Sequence, residues 1–134
     1  MPQQTDYQPA PPPVTLAKLR RHFRDKYLLT DPQVELMVVS SSKSLEQSFG
    51  NLAEGISSND LTVDRLKAVY HGLKGVLLNM GEPEWAAYTR EIEQKVLAGD
   101  TLDHSLIVKV LRDGMVEVLT YCGTPDAGPQ KSTS

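Results

Sequence analysis

Cysteine and tryptophan each occur once in the 134 residues, as Cys122 and Trp85. A lone cysteine excludes an intramolecular disulfide and a cysteine-based zinc site, so Cys122 reads as an incidental reduced thiol. No apolar run approaches the roughly 18 residues needed to span a bilayer. The opening "MPQQTDYQPAPPPV" has neither a basic stretch nor an apolar one. No signal peptide is therefore expected, and a cytoplasmic protein is. Basic charge is not in excess: 14 Lys and Arg against 17 Asp and Glu leave a net charge of −3. That argues against non-specific nucleic-acid binding, which needs a basic face. Strand alternation bounded by hairpin turns is missing, and no internal repeat is evident.

What remains is a chain of ordinary globular composition, 40% hydrophobic and 23% charged, with length for one domain and its core. Residues 1–13 are rich in Pro and Gln and have almost nothing to bury, so they read as a disordered, partly extended lead-in. Residues 123–134, "GTPDAGPQKSTS", read as a disordered tail. Between them residues 14–122 carry helical periodicity throughout.

A short first helix is marked by Leu16, Leu19, Phe23 and Tyr27. A second begins with Asp31 as N-cap and Pro32 in the first turn. Its stripe is Val34, Met37 or Val38, Leu45, Phe49, Leu52 and Ile56, locally weakened by Ser40–Ser42. After a break at "SSND", with Asn59 or Asp60 as cap, a third helix runs from about Leu61 to Met80 and is stopped by Gly81 and Pro83. The fourth buries Trp85, Tyr88, Ile92 and Val96 and closes at Gly99. The fifth starts from Asp103 and buries Leu106, Val110, Met115, Val118 and Tyr121. Four such helices on short loops predict an all-α, up-down antiparallel four-helix bundle, with the short N-terminal helix as an extra element at one end.

The third helix contains residues that do not belong in a core. Val63, Leu66, Tyr70, Leu73, Leu77 and Met80, widened by Val69 and Val76, fill an arc of about 140°. His71 lies roughly 130° from the centre of that arc and is expected to face solvent. Its face also carries Asp64, Lys67, Lys74, Gly75 and Leu78, with Gly72 on the flank. Each alone has an ordinary surface explanation; together they describe a site. An exposed imidazole is largely neutral at pH 7 and can act as a nucleophile. Lys67 and Lys74 would hold an anion beside it, a phosphoryl group above all. Gly75 omits a side chain where another protein would approach, and Leu78 offers that partner an apolar contact.

The run "H-G-L-K-G-V-L-L-N-M-G" resembles the signature of histidine phosphotransfer (HPt) domains, with His71, Leu73, Lys74, Gly75, Asn79 and Gly81 at matching spacing. The resemblance covers roughly residues 32–121 and departs from the family at Val76, where a small residue is usual. It implies a four-helix bundle whose exposed histidine carries a phosphoryl group to or from the aspartate of a response-regulator receiver domain, which could belong to a hybrid sensor kinase. By motif position His71 would be the phosphoacceptor, Lys74 the phosphate-stabilising cation and Gly75 the opening for the receiver. Lys67, from the helical wheel, and Gln94, from the next helix, are added as further phosphate-stabilising groups.

No Gly-x-x-x-x-Gly-Lys-Ser/Thr loop or kinase signature is present. A phosphocarrier without ATP chemistry is therefore expected, with no cofactor, no metal of its own, no nucleic-acid or membrane partner, and a monomeric state. The rival expectation is a helical adaptor that docks on a receiver or another partner and never carries phosphate. A metal hydrolase fits poorly, since His22, His71 and His104 form no His-Glu-x-x-His pattern. His22 is expected on a basic solvated face with Arg20, Arg21 and Arg24, and His104 in the first turn of the last helix.

Overall fold

The computed structural model describes residues 9–121, and these are all-helical: α1 Leu16–Tyr27, α2 Asp31–Ser57, α3 Val63–Asn79, α4 Pro83–Leu97, α5 His104–Gly114 and α6 Val116–Tyr121. α1 and α2 run antiparallel, and ion pairs tie further helices together. Arg20 pairs with Glu35 and Arg24 with Asp31 between α1 and α2. Arg65 reaches back to Glu54. Lys74 meets Glu93 between α3 and α4, and Arg112 meets Glu46 between α5 and α2. The core joins Leu19 and Phe23 of α1 to Val34, Leu45 and Phe49 of α2, Tyr70 and Leu73 of α3, Trp85 and Ile92 of α4, and Leu111 and Val118 beyond.

The helix starts fall close to the expected positions, with different caps. Thr30, not Asp31, caps α2; its hydroxyl accepts from the Gln33 N–H while the Gln33 side chain accepts from the Thr30 N–H. Thr62, not Asn59 or Asp60, caps α3. Asn59 instead takes the left-handed position that ends α2, at φ 55°. Val63, expected in the core, is exposed because it opens α3 before the helix has entered the bundle. Tyr27 is likewise exposed at the end of α1. The serine run does not interrupt α2: Ser41 Oγ donates to the Met37 carbonyl inside the helix.

The fifth helix differs most from expectation. It breaks at Met115 (φ −119°, ψ 14°) into α5 and α6. Gly114 lies flat against the Trp85 indole, and a Cβ there would collide with the ring. The buried stripe also lies one position along from the expected one. Ile107, Leu111, Met115, Val118 and Leu119 are buried; Leu106 is exposed, and Val110 and Tyr121 are only partly covered.

The proline lead-in also departs from expectation where it is described. Residues 9–13 lie on the fold. The Pro12 carbonyl accepts a 2.8 Å hydrogen bond from Trp85 Nε1, and the Val14 N–H donates to Gly114 at 2.8 Å. A buried indole N–H needs an acceptor, and this segment supplies it. The expectations for residues 1–8, Cys122 and the 123–134 tail fall outside the described residues.

Candidate functional site

α3 ends in a pair of backbone hydrogen bonds. The Gly81 N–H donates to Leu78 and the Glu82 N–H to Leu77, with Gly81 at φ 75°. This is the left-handed termination that glycine adopts without strain. His22 of α1 fills the space left by the missing Cβ of Gly81, and its Nε2 lies 3.0 Å from the Asn79 carbonyl. His22 is therefore a packing residue at the α3–α4 corner, not a member of a solvated basic face. Beside it Glu82 is buried and salt-bridged to Lys18 at 3.3 Å. Burial pushes the Glu82 carboxyl above its usual range. The two glycines of the motif act differently: Gly81 fixes the corner, whereas Gly75 has open space above it.

His71 projects from the middle of α3 with 69% of its side chain exposed, as its place outside the apolar arc requires. Its Nδ1 lies 3.4 Å from Glu93 Oε2, at ion-pair distance and long for a hydrogen bond. The other oxygen of the same carboxylate accepts from Lys74 Nζ at 3.2 Å. Only 9% of the Glu93 side chain is exposed. One nearly buried carboxylate on α4 therefore faces both the imidazole and the ammonium group on α3. Lys74 keeps 22% exposure, less than a free surface lysine, because the pairing draws it inward.

Asp64 and Lys67 are exposed on α3 N-terminal to His71. Gly72 and Gly75 are exposed, and a Cβ at either would meet nothing within 4 Å. Leu78 is 55% exposed at the other end of the stripe. Gln94 is exposed, and the α4 residue that faces His71 is its neighbour Glu93. Glu93 is a carboxylate and accepts rather than donates, so it does not take the donor role expected of Gln94. Helical arithmetic on α4 holds the clue: Ala86, Thr89 and Glu93 extend the buried face of Trp85 and Ile92, which leaves Glu93 inward and Gln94 outward.

Sequence reasoning also missed a groove that shares Lys74 with the site. Lys74, Leu78, Pro83, Ala86, Ala87 and Arg90 line a volume of about 200 Å³ between α3 and α4. Its floor is apolar and its rim carries two cations.

The arrangement has a definite chemical capacity. A carboxylate facing Nδ1 favours the proton on that nitrogen and leaves the Nε2 lone pair for attack. Lys74 is within reach of an anion bound at the ring, provided it exchanges Glu93 for that anion. Among the described residues no group of three or more His, Cys, Asp or Glu side chains is arranged to hold a metal ion, and no helix is long and apolar enough to cross a membrane. Comparison with protein-family models, with curated proteins and with solved structures finds no match.

Proposed function

We infer that the protein is a histidine phosphocarrier of the HPt type, working in the cytoplasm as a monomer between response-regulator receiver domains. The observation that carries this reading is the exposed imidazole of His71 sharing one buried carboxylate with Lys74. In the reaction Nε2 attacks the phosphorus of a receiver's aspartyl phosphate in line. The N–P bond forms as the P–O bond to the aspartate breaks, and the carboxylate leaves. The proton on Nδ1 stays there, held toward Glu93, and balances part of the charge that the ring acquires. Lys74, then Lys67 and Arg90, offset the negative charge on the phosphoryl oxygens; positioning and cations carry most of such a transfer. Return of the group to a second receiver is the same step reversed. Any Mg²⁺ comes with the receiver, and the phosphate comes from outside, since no nucleotide motif is present in the chain. The exposed glycines beside His71 leave room for the partner's loops, and Leu78 with the adjoining groove gives it an apolar hold.

The test is phosphate transfer from phosphorylated receiver domains of the same organism, with His71→Gln as control. Wild type should acquire acid-labile phosphate on His71 and the variant none. If no receiver labels the wild type, the carrier reading fails, and binding without labelling would favour a docking-only adaptor.

A further inference from the structure

We propose that residues 9–13 are a preformed polyproline II ligand, displayed on the bundle for a partner domain with an aromatic-lined groove and basic residues at its edge. The segment reads Pro-Ala-Pro-Pro-Pro. Each proline fixes its own φ near about −65°, and Ala10, Pro11 and Pro12 each precede a proline, which holds their ψ in the extended range. Together these restrictions give polyproline II, a helix of roughly three residues per turn without internal hydrogen bonds. Residues three apart therefore share a ridge, and burial follows that period. Pro11 is half-buried and Val14 is buried, so one ridge faces the bundle. Pro9 and Pro12 form a second ridge, Ala10 and Pro13 a third, and all four residues are exposed.

Two backbone hydrogen bonds fasten the segment, from Trp85 Nε1 to the Pro12 carbonyl and from the Val14 N–H to Gly114. Among the described residues the carbonyls of Ala10, Pro11 and Pro13 accept no hydrogen bond. A recess opens on each side. One of about 300 Å³ is bordered by Pro9, Pro12, Tyr88 and Glu84. The other, of about 260 Å³, is bordered by Ala10, Pro13, Val110 and Asp113. Each outward ridge thus stands beside a hollow with room for an aromatic side chain of a partner, and each hollow has a carboxylate at its border. Pro9 and Pro12 have the Pro-x-x-Pro spacing that aromatic-lined grooves take up, and such grooves gain from the preformed, low-entropy shape of the segment. Here the inward ridge holds that shape on the fold, so the segment is ordered before a partner arrives. Glu84 and Asp113 set the partner's charge: Lys or Arg beside its groove. This docking does not involve His71 and stands apart from the phosphocarrier reading.

Titration of the full chain with purified proline-binding domains of the SH3, WW and EVH1 types, each with basic residues beside its groove, tests the proposal. At least one domain should bind saturably, shifting the amide resonances of Ala10, Val14 and Glu84 and leaving those of Leu45 and Leu52 on α2 in place. A free peptide of residues 9–15 should bind the same domain several-fold more weakly, because it must first be ordered. Pro9→Ala with Pro13→Ala, one change on each outward ridge, should weaken binding by about tenfold or more while the Trp85 emission stays that of wild type. Glu84→Lys, on α4 and outside the segment, should weaken it as well. The proposal is overturned if no domain binds, if the peptide binds more tightly than the full chain, or if both variants bind like wild type. None of these readouts requires phosphate on His71, so failure of the carrier reading would show separately, as absence of labelling.

Discussion

Glu93 Oε2 lies 3.4 Å from His71 Nδ1, and its Oε1 lies 3.2 Å from Lys74 Nζ, so one carboxylate on α4 faces both side chains on α3. A carboxylate beside one imidazole nitrogen selects the tautomer and so the nitrogen left free to react. Glu93→Met removes the acceptor and keeps the volume. Long-range nitrogen–proton spectra of neutral His71 should show the Nδ1–H form in the wild type and a shift toward Nε2–H in the variant. Phosphoryl acceptance should fall by about tenfold, less than the roughly hundredfold or more of a general acid or base, because Glu93 only positions the ring. An unchanged tautomer would remove Glu93 from the mechanism.

Lys74 has a structural duty apart from its proposed chemical one. Lys74→Ala leaves the nearly buried Glu93 carboxylate without its cation and should cost about 1–3 kcal/mol in urea unfolding, below the range for a fully buried pair because the lysine is partly solvated. The double change Lys74→Ala with Glu93→Met should recover most of that loss while transfer stays slow. Equal stability of wild type and Lys74→Ala would place the ammonium group on a free surface.

The glycines separate by what lies above them. Gly114→Ala drives a methyl group into the Trp85 ring and should destabilise by about 2 kcal/mol or more. Gly72→Ala meets open space and should stabilise by up to about 1 kcal/mol, the helix-propensity gain alone. Gly75→Arg should leave the melting temperature near that of wild type and reduce transfer from any receiver.

His104 gives the fold a mild acid sensitivity. Its ring is held against the Tyr70 hydroxyl, with Nδ1 at 2.8 Å, and burial keeps its pKa below the ordinary 6.5. The unfolded chain therefore binds this proton first. The stability tied to the neutral ring is complete above about pH 6.5 and is lost as pH falls through the lower folded value. His104→Asn should flatten the difference between urea midpoints measured at about pH 7.5 and about pH 5. Glu82 acts with the opposite sign: its raised pKa means that burial costs stability as pH climbs out of the carboxylate range. A His104→Asn protein with the full wild-type pH dependence would refute the assignment.

The apolar arc of α3 was legible because its period is local: Leu66, Tyr70, Leu73, Leu77 and Met80 are all buried, and His71 is exposed. Glu93 was not legible as a partner of His71, since its role depends on the register of α4 against α3, which no single-helix pattern carries. The break at Met115 escaped for a similar reason. Gly114 looks like a poor helix former inside a helix until the Trp85 ring is placed on it. His22 was misread because the basic residues around it are solvated while the ring itself turns onto Gly81, distant in sequence but adjacent in space. The prolines of residues 9–13 carry no periodicity at all, and the acceptor that the buried indole N–H of Trp85 requires explains why they lie down.

That indole makes the protein its own optical instrument. Trp85 is the single tryptophan of the chain, almost wholly buried, with its N–H held by the Pro12 carbonyl and its face against Gly114. Its emission therefore reports whether residues 9–13 are seated, provided the helices stay folded. Lifting this segment admits water to the ring edge and moves the fluorescence to longer wavelength while the circular dichroism of the helices stays as it was.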